Sequence, residues 1–516
     1  MIKSTTNNAV SDVEGKIDLQ VEDADAQGYL NSPREIQNRF ELLRDLDDDE
    51  IRKLNKSVVK KIDWRLMPTI TIMFLMKYAS GSRRFGLTDC VSYLDRINVS
   101  NARLAGMQED LHMSDTVWNT GISTFYIGYL IGQLPGNLIL AKTNPRWFLP
   151  TIMLGWSAST ICTPAVSNGV GFCVCRFFTG LLEAPFFPGI TLMTSSWYTK
   201  EENPMRMAVW HAGNTMSNIL SGFLAAGILT TMGGIGGFHS WQWFFLIEGA
   251  ASILVALAAY FLLPDWPHNT KFLKPEEREM AQYRVLCSNG GIDEGVGGTW
   301  DGIRDAVRDP FTWYFCAMHF ALVTAQAFKD FLPSIVNTFD FGELTTYFIQ
   351  APPYAFAYMF ACLCAWSSGR RQESFWHISL PIIGSAIGCA MLISTDIIGV
   401  RYTGLFLLVA GTYNGLNLQL SWETTLVPAP RSKKAALIAI ANCISQCSHW
   451  FSPYFWPRSH EPYYRLGGGL VLFGCLIVVL SALATRWRAK RLNKRLDEAQ
   501  GWTEGSTEPR GWRFVY

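Results

Sequence analysis

An arginine and a glutamate lie seven positions apart in a stretch that is otherwise apolar, RFFTGLLEAPFFPG from Arg176 to Gly189. The surrounding residues 170–197 are long enough to cross a bilayer as a helix. Seven residues make about two helical turns, so Arg176 and Glu183 share one face, roughly 10 Å apart along the axis. Each charge costs roughly 2.5–3.5 kcal/mol to insert into a membrane. We therefore expect both to point into a protein-lined interior, where the arginine could hold an anion and the glutamate could carry a proton.

The composition is that of a membrane protein rather than of a soluble domain. Of 516 residues, 49% are hydrophobic and only 17% are charged, against about 25% charged in soluble domains. The net charge of +1 argues against a nucleic-acid partner. The twelve cysteines are scattered without the spacing of a zinc site. No nucleophile–base set or phosphate loop stands out, so we expect no enzyme, no metal and no cofactor beyond protons as the coupling ion.

Apolar runs of membrane-spanning length recur about twelve times along the chain. They cover residues 66–97 (interrupted), 116–141, 147–168, 170–197, 207–230, 241–263, 311–336, 345–367, 376–395, 400–426, 433–456 and 466–485. This pattern predicts an all-α integral membrane protein with two six-helix halves. Its parts are a disordered acidic tail (1–50), an N-terminal half (51–263), a central loop (264–310), a C-terminal half (311–486) and a tail (487–516).

The positions of lysine and arginine predict the orientation in the membrane. Alternate short loops and the C-terminal tail are basic, while the loops between them carry few cations. Basic loops face the cytoplasm. Both termini and the central loop are therefore expected on the cytoplasmic side, which agrees with an even number of spans.

The first span is interrupted. About eleven apolar residues end at Met76 and reach only some 16 Å, which is short of the hydrocarbon core. Residues Lys77 to Val91 include Arg83, Arg84 and Asp89, and joining Met76 to Ser92 would restore a full-length helix. We interpret residues 77–91 as an insertion, such as a retained intron. The alternative is a re-entrant or discontinuous helix that lines a cavity.

Several motifs resemble one family when taken together. They are SYLDRINVSNARLAGM, RFFTGLLEAPFFPGITLMTSSWY and EPYYRLGGG, within a similarity that runs from about Ile62 to Arg495. The chain resembles the allantoate permease-like branch of the anion:cation symporters, in the major facilitator superfamily. The resemblance implies a monomeric, proton-coupled carrier of organic anions that works by alternating access around a central cavity.

The resemblance also implies roles for two charged pairs. SYLDR contains Asp95 and Arg96, and RFFTGLLEA contains Arg176 and Glu183. In the related sugar-acid and glutamate carriers, charges at the matching places are functional. Arg96 and Arg176 would then bind the substrate carboxylate, and Asp95 and Glu183 would couple the proton. Alternatively, the four charges form a structural network that satisfies only itself.

Polar residues in the C-terminal half offer further candidate contacts. Gln326, Asn414 and Asn417 could bond a ligand, although bonds between helices would explain the two asparagines equally well. Lys329 and Asp330 depart from the family pattern, and they could form an internal ion pair or a second substrate contact.

The leading hypothesis is proton-coupled uptake of a small carboxylate, such as a vitamin or a ureide, across the plasma membrane. One alternative is a carrier of neutral or cationic solutes, suggested by Lys329, Asp330 and Glu423. Another is a nutrient sensor of the same fold, and a third is an inactive product if residues 77–91 are a translated insertion.

Overall fold

The computed structural model describes residues 33–79, 106–211, 232–291, 298–329, 351–427, 429–456, 463–503 and 512–516, together with residues 336, 339, 349 and 460. Within these ranges the chain is helical and contains no strand. The side chains of Asp95, Arg96 and Asp330, and most of the suspected insertion, lie outside the described residues. The helix that precedes the insertion continues to Ala79.

The N-terminal half consists of helices in the order that the hydropathy pattern predicts. They are α1 (Pro33–Gln37), α2 (Asp48–Ala79), α3 (Met107–Asp110), α4 (Asp115–Lys142), α5 (Pro145–Cys162), α6 (Gly169–Glu183), α7 (Phe186–Trp197) and α8 (Ser240–Leu262). Residues 203–211 are also helical. The predicted span 170–197 is divided into α6 and α7 at Ala184 and Pro185, directly after Glu183.

The central loop and the C-terminal half follow the same order. They contain α9 (Pro275–Ser288), α10 (Thr299–Arg308), α11 (Pro310–Ala325), α12 (Ala351–Arg371), α13 (Phe375–Ser394), α14 (Ile398–Leu426), α15 (Arg431–Gln446), α16 (Ser448–Phe451) and α17 (Arg465–Gln500). Helices α4, α8 and α13 begin and end within two residues of the predicted spans.

Two predicted boundaries differ from the structure. Residues 33–50, assigned to a disordered tail, include α1 and the fully buried side chain of Leu43. Helix α17 continues to Gln500 instead of ending near 486, because the charged sequence beyond the membrane consists of good helix formers such as Leu, Lys, Arg and Glu. Leu43 is buried against the N-terminal core, which explains why an acid-rich segment is ordered.

Four helical segments among the described residues are long and apolar enough to cross a membrane by themselves. They are Gly169–Trp197, Ser240–Leu262, Phe375–Ser394 and Arg465–Gln500. Helices α4 and α14 have a sufficient length but carry buried amides, among them Gln133, Asn137, Asn414 and Asn417. Polar side chains of this kind face the protein interior and not the lipid.

Glycines bring the backbones of α4 and α6 into contact. A Cβ atom on Gly128 would lie 2.3 Å from the carbonyl oxygen of Phe177, and one on Gly180 would lie 2.1 Å from that of Phe125. No larger residue fits at either position without moving a backbone. The two helices are thereby fixed against each other, and α6 presents Arg176 and Glu183 to α4.

The two halves are packed together at the end of the bundle that carries the central loop. The side-chain amide of Asn203 donates to the hydroxyl oxygens of Ser421, at 3.2 Å, and Thr424, at 2.9 Å, and all three residues are buried. Leu138 of α4 packs with Ala306 of α10 and Ala436 of α15. The structure is therefore closed at the central-loop end.

Candidate functional site

Arg176 lies on α6 with its side chain buried against α4. Only 5% of the residue is exposed, and the guanidinium carbon is 4.7 Å from the centre of the Phe125 ring. A cation over an aromatic face is stabilised by the ring quadrupole. The close backbone contact at Gly180 brings the ring beneath the guanidinium. Arg176 is thus held by protein on the α4 side and does not face lipid there.

Glu183 is the last residue of α6, at the break before α7. It is half-buried, and its carboxylate lies close enough to Tyr129 of α4 for an electrostatic interaction with the hydroxyl. Phe125 and Tyr129 are one turn apart, with ring centres separated by 5.9 Å. Arg176 and Glu183 therefore both face α4, one against each ring of an aromatic pair.

A polar stripe on α4 continues from this aromatic pair toward the second half of the molecule. Tyr129, Gln133 and Asn137 follow one another at intervals of four residues and are buried. The thiol of Cys443, on α15, donates to Gln133 Oε1 at 3.0 Å. Tyr129 interacts with the neighbouring Asn442. We call Tyr129, Gln133, Asn442 and Cys443 the polar seam, because it joins one half to the other.

The polar seam presents two buried amide donors. The oxygen of Gln133 accepts from Cys443, and the oxygen of Asn442 accepts from Gln446 Nε2 at 3.3 Å. The nitrogens Gln133 Nε2 and Asn442 Nδ2 are buried without a hydrogen bond of normal geometry among the described residues. Asn442 also interacts with the side chain of Tyr129. A buried donor without an acceptor costs about 1–3 kcal/mol, so a bound acceptor would be stabilised here.

These donors lie near the middle of the membrane-spanning region. Gln133 is nine residues before the end of α4 at Lys142, which is roughly 13 Å of helix. Asn442 is eleven residues after the start of α15 at Arg431, or roughly 16 Å. The end of α4 and the start of α15 both lie at the central-loop side, and half the hydrocarbon thickness is about 15 Å. A solute bound here would contact both halves at mid-depth.

The amides predicted in the C-terminal half have different surroundings. Gln326 donates to the carbonyl oxygen of Thr412 at 2.9 Å and accepts from Lys329 Nζ at 3.3 Å, so it links α11 to α14. Asn414 donates to the carbonyl oxygen of His377 at 2.8 Å and links α14 to α13. The sequence left two roles open for Asn414, binding of a ligand or bonding between helices, and the structure shows the interhelical bond.

Asn417 is 5% exposed, and its Oδ1, like that of Asn414, has no hydrogen-bond partner in the described part of the chain. It lies three residues from Leu420, which packs in the core of the N-terminal half, so Asn417 is on the face of α14 that meets the other half. Asn417 is thus the predicted C-terminal amide best placed to reach a solute between the halves.

Sequence reasoning missed the polar seam. Gln133, Asn442 and Cys443 are single polar residues in apolar runs, and they resemble Asn414 in that respect. The available signal was the spacing of four between Tyr129, Gln133 and Asn137, which places three polar groups on one helical face. The pairing with α15 is a property of the fold and has no signature in the local sequence.

Comparisons with known proteins give a consistent result. A family model described as Major Facilitator Superfamily matches residues 86–453. The chain is 30% identical over 476 residues to "MFS-type transporter cnsO" of Penicillium expansum, with 88% of each chain covered. It is 27% identical over 444 residues to a "Putative tartrate transporter" of Agrobacterium vitis, covering 86% of this chain and 94% of the relative. Its fold matches the proton:xylose symporter XylE with a TM-score of 0.57 at 12% identity, over 83% of this chain and 95% of that one.

Proposed function

The chain belongs to the Major Facilitator Superfamily, and from that premise we propose that this transporter carries a small organic anion together with a proton by alternating access. It is a multi-pass membrane protein and a transporter rather than an enzyme, and the predicted helical fold of two halves is confirmed. The substrate class, the coupling ion and the orientation are parts of the proposal.

Two buried amide donors in the polar seam are the observation that carries the proposal. Gln133 Nε2 and Asn442 Nδ2 come from opposite halves and offer N–H groups whose natural partner is an acceptor oxygen. A carboxylate accepts at two oxygens, whereas an ammonium group has no acceptor to offer. Arg176, on the adjoining α4–α6 contact, supplies a positive charge. The site therefore suits a small carboxylate better than an amine.

Glu183 is the proposed proton carrier. It lies beside Tyr129, and Tyr129 reaches Asn442, so the carboxyl group is connected to the polar seam through one side chain. A negative solute at the seam would repel an ionised Glu183 and favour its protonated form. Solute and proton would then occupy the site together, and loss of the proton on the other side would promote release of the solute.

The names of the relatives support an organic anion as the substrate class but do not identify the compound. A relative bears the name of a tartrate transporter, and tartrate is a dicarboxylate. Membership of the allantoate permease-like branch, with its ureide and vitamin substrates, rests on the motifs around Asp95 and Arg176. The basic loops support an orientation with both termini in the cytoplasm, and the plasma membrane is the proposed location.

One observation weighs against a carrier of cations. Glu423, the carboxylate that suggested one, is fully buried, and its Oε2 accepts from Gln419 Nε2 at 2.5 Å. It lies three residues from the end of α14, roughly 5 Å from the central-loop side, and so far from mid-depth. Lys329 is bonded to Gln326. Neither group is placed to attract a solute at the seam.

Reconstituted uptake tests the proposal. The purified chain in liposomes would be offered labelled monocarboxylates, dicarboxylates, ureides, sugars and amines, with and without a proton gradient. We expect carboxylates to be taken up faster when the side facing the solute is acidic, and a protonophore to abolish the difference. Uptake of amines or sugars without any carboxylate transport would reject the proposal that the substrate is an organic anion. Carboxylate uptake at the same rate with and without the proton gradient would reject proton coupling but not the anionic substrate.

A further inference from the structure

Residues 512–516, with the sequence WRFVY, are bound across the central-loop end of the molecule. We call them the strap. They follow the charged part of α17 and run over helices of the C-terminal half toward the last residue of α9. Four of the five residues are apolar or aromatic, and none of the five is fully exposed. The strap is therefore a docked peptide with defined partners.

The C-terminal half holds the strap through its backbone. Asn493 of α17 accepts from the Phe514 amide at 2.8 Å and donates to the Phe514 carbonyl at 2.9 Å. Trp422 Nε1 donates to the carbonyl oxygen of Val515 at 3.0 Å, and the Ser374 amide donates to that of Tyr516 at 3.2 Å. Main-chain recognition of this kind fixes the register of a peptide.

A largely buried ion pair between Arg513 and Asp497 adds to this anchorage. Arg513 Nη2 lies 2.6 Å from Asp497 Oδ1, and its Nε lies 2.8 Å from the same oxygen. The two side chains are only 10% and 18% exposed. Charge-assisted bonds from two guanidinium nitrogens are stronger than neutral ones. The strap is thus firmly attached to α17.

Trp512 carries the contact to the other half. Its indole Nε1 donates to the carbonyl oxygen of Ser288, at the end of α9, with a distance of 2.6 Å. The backbone amide of Lys200 donates to the hydroxyl of Ser288 at 2.8 Å, and Lys200 Nζ lies 5.5 Å from the centre of the Trp512 ring. Lys200 follows α7 and belongs to the N-terminal half.

Ion pairs attach helix α9 to the N-terminal half. Lys61 of α2 pairs with Glu277 at 2.5 Å, and Arg284 pairs with Glu202 of the loop after α7. The bond from Trp512 to Ser288 therefore joins the two halves. Alternating access requires these halves to separate at this end whenever the substrate site opens there.

We propose that residues 512–516 form a latch that stabilises the transporter with its central-loop end closed, and that Trp512 is its point of release. The strap keeps its many bonds to α17, α14 and α13 when the end opens, while the indole leaves Ser288 and Lys200. The latch sets the balance between the two access states and does not depend on which solute is carried.

Hydrogen–deuterium exchange of the purified full-length chain tests the latch. Trp512→Ala removes the hydrogen bond and the cation–π contact to the other half, together with the ring contact to Phe514 within the strap. We therefore expect exchange to rise about tenfold in peptides covering residues 198–206 and 421–427. Those peptides contain Asn203, Ser421 and Thr424, whose bonds close this end. Deletion of residues 512–516 should have the same effect or a larger one. Trp300→Ala is the matched control, since Trp300 is 81% exposed.

The same experiment distinguishes opening of the central-loop end from a general loss of folding. Peptides at the opposite end, such as residues 107–118, report whether a variant is folded, and they should exchange more slowly or as in the unaltered chain. The latch is rejected if Trp512→Ala leaves residues 198–206 and 421–427 unchanged, or if faster exchange is confined to the strap and α9. It is likewise rejected if Trp300→Ala has an equal effect.

Discussion

The thiol of Cys443 donates a hydrogen bond to the side-chain oxygen of Gln133 across the boundary between the two halves, at 3.0 Å. This bond uses the acceptor of Gln133 and leaves its amide nitrogen without an acceptor among the residues that the structure describes. One weak interhelical bond thereby turns an amide, which can donate or accept, into a donor. The anion preference of the proposed site follows from this orientation.

Arg176 should control the affinity for an anion. Replacing Arg176 with glutamine removes both the charge and the planar guanidinium group, whereas lysine keeps only the charge. We expect the KM for uptake of a transported carboxylate to rise about 10- to 100-fold in Arg176→Gln and less in Arg176→Lys, in keeping with charge-assisted bonds of about 1.5–3 kcal/mol. Initial uptake rates over a range of solute concentrations measure this, with surface expression quantified in parallel. An unchanged KM in Arg176→Gln would remove this residue from the site.

Glu183 should control coupling rather than binding. Glutamine preserves the shape of the side chain but cannot release a proton, so Glu183→Gln should lose uptake driven by a proton gradient. Exchange of labelled for unlabelled solute at equal pH on both sides should persist, because no net proton movement is needed. Comparing the two assays in the same liposomes makes the measurement. Gradient-driven uptake that survives the substitution would assign the proton to another group.

Gly180 should be essential to the packing that positions both charges. A Cβ atom there would lie 2.1 Å from the Phe125 carbonyl oxygen, so Gly180→Ala must push α4 and α6 apart. Overpacking of this kind costs typically about 1–3 kcal/mol. Gly384→Ala on α13 is the control, since its added Cβ would meet no atom within 4 Å. Thermal unfolding in detergent should show a lower midpoint for Gly180→Ala and no decrease for Gly384→Ala; equal midpoints would contradict the close contact.

The attachment of α9 to the N-terminal half should weaken in acid. Burial opposes ionisation of Glu277, but hydrogen bonds from Lys61 and from the Lys274 amide outweigh it and lower its pKa below the ordinary value of 4.5. The stabilisation is therefore present above about pH 4.5 and is lost as the pH falls through the lower folded pKa. Proteolysis within residues 264–310 should accelerate over that interval. Glu277→Gln should be cleaved faster at neutral pH and show little of the acid dependence. The same acid response in both chains would refute the assignment.

Much of the helical layout was readable from the sequence, because the number and order of apolar runs follow from the thickness of a membrane. The ends of α4, α8 and α13 were predicted within two residues. The seven-residue spacing placed Arg176 and Glu183 on one face, and the structure directs both toward α4. These properties depend only on the local sequence, so the apolar composition and the helical period were sufficient to predict them.

Other features depend on which helices become neighbours. Asn414 and Asn442 are both asparagines in apolar runs. Asn414 bonds a carbonyl oxygen of α13, whereas Asn442 faces α4 with a nitrogen that has no hydrogen bond of normal geometry within the described ranges. No spacing distinguishes them. The strap has no helical or strand period either, and only its partners, such as Asn493 and Ser288, give it a position. Predicting these features requires the packing of both halves.

The affinity of the Asn442→Asp variant for a transported carboxylate tests the central claim most directly. The substitution replaces an amide donor with an acceptor of nearly the same shape, and at neutral pH it adds a negative charge next to the proposed solute position. Asn269→Asp in the central loop is the control, because it adds the same charge at an exposed residue. We predict that Asn442→Asp weakens binding at least 100-fold in a direct binding assay, that Asn442→Leu weakens it about tenfold, and that Asn269→Asp binds normally. Normal carboxylate binding by a folded Asn442→Asp protein would contradict an anion site between the halves.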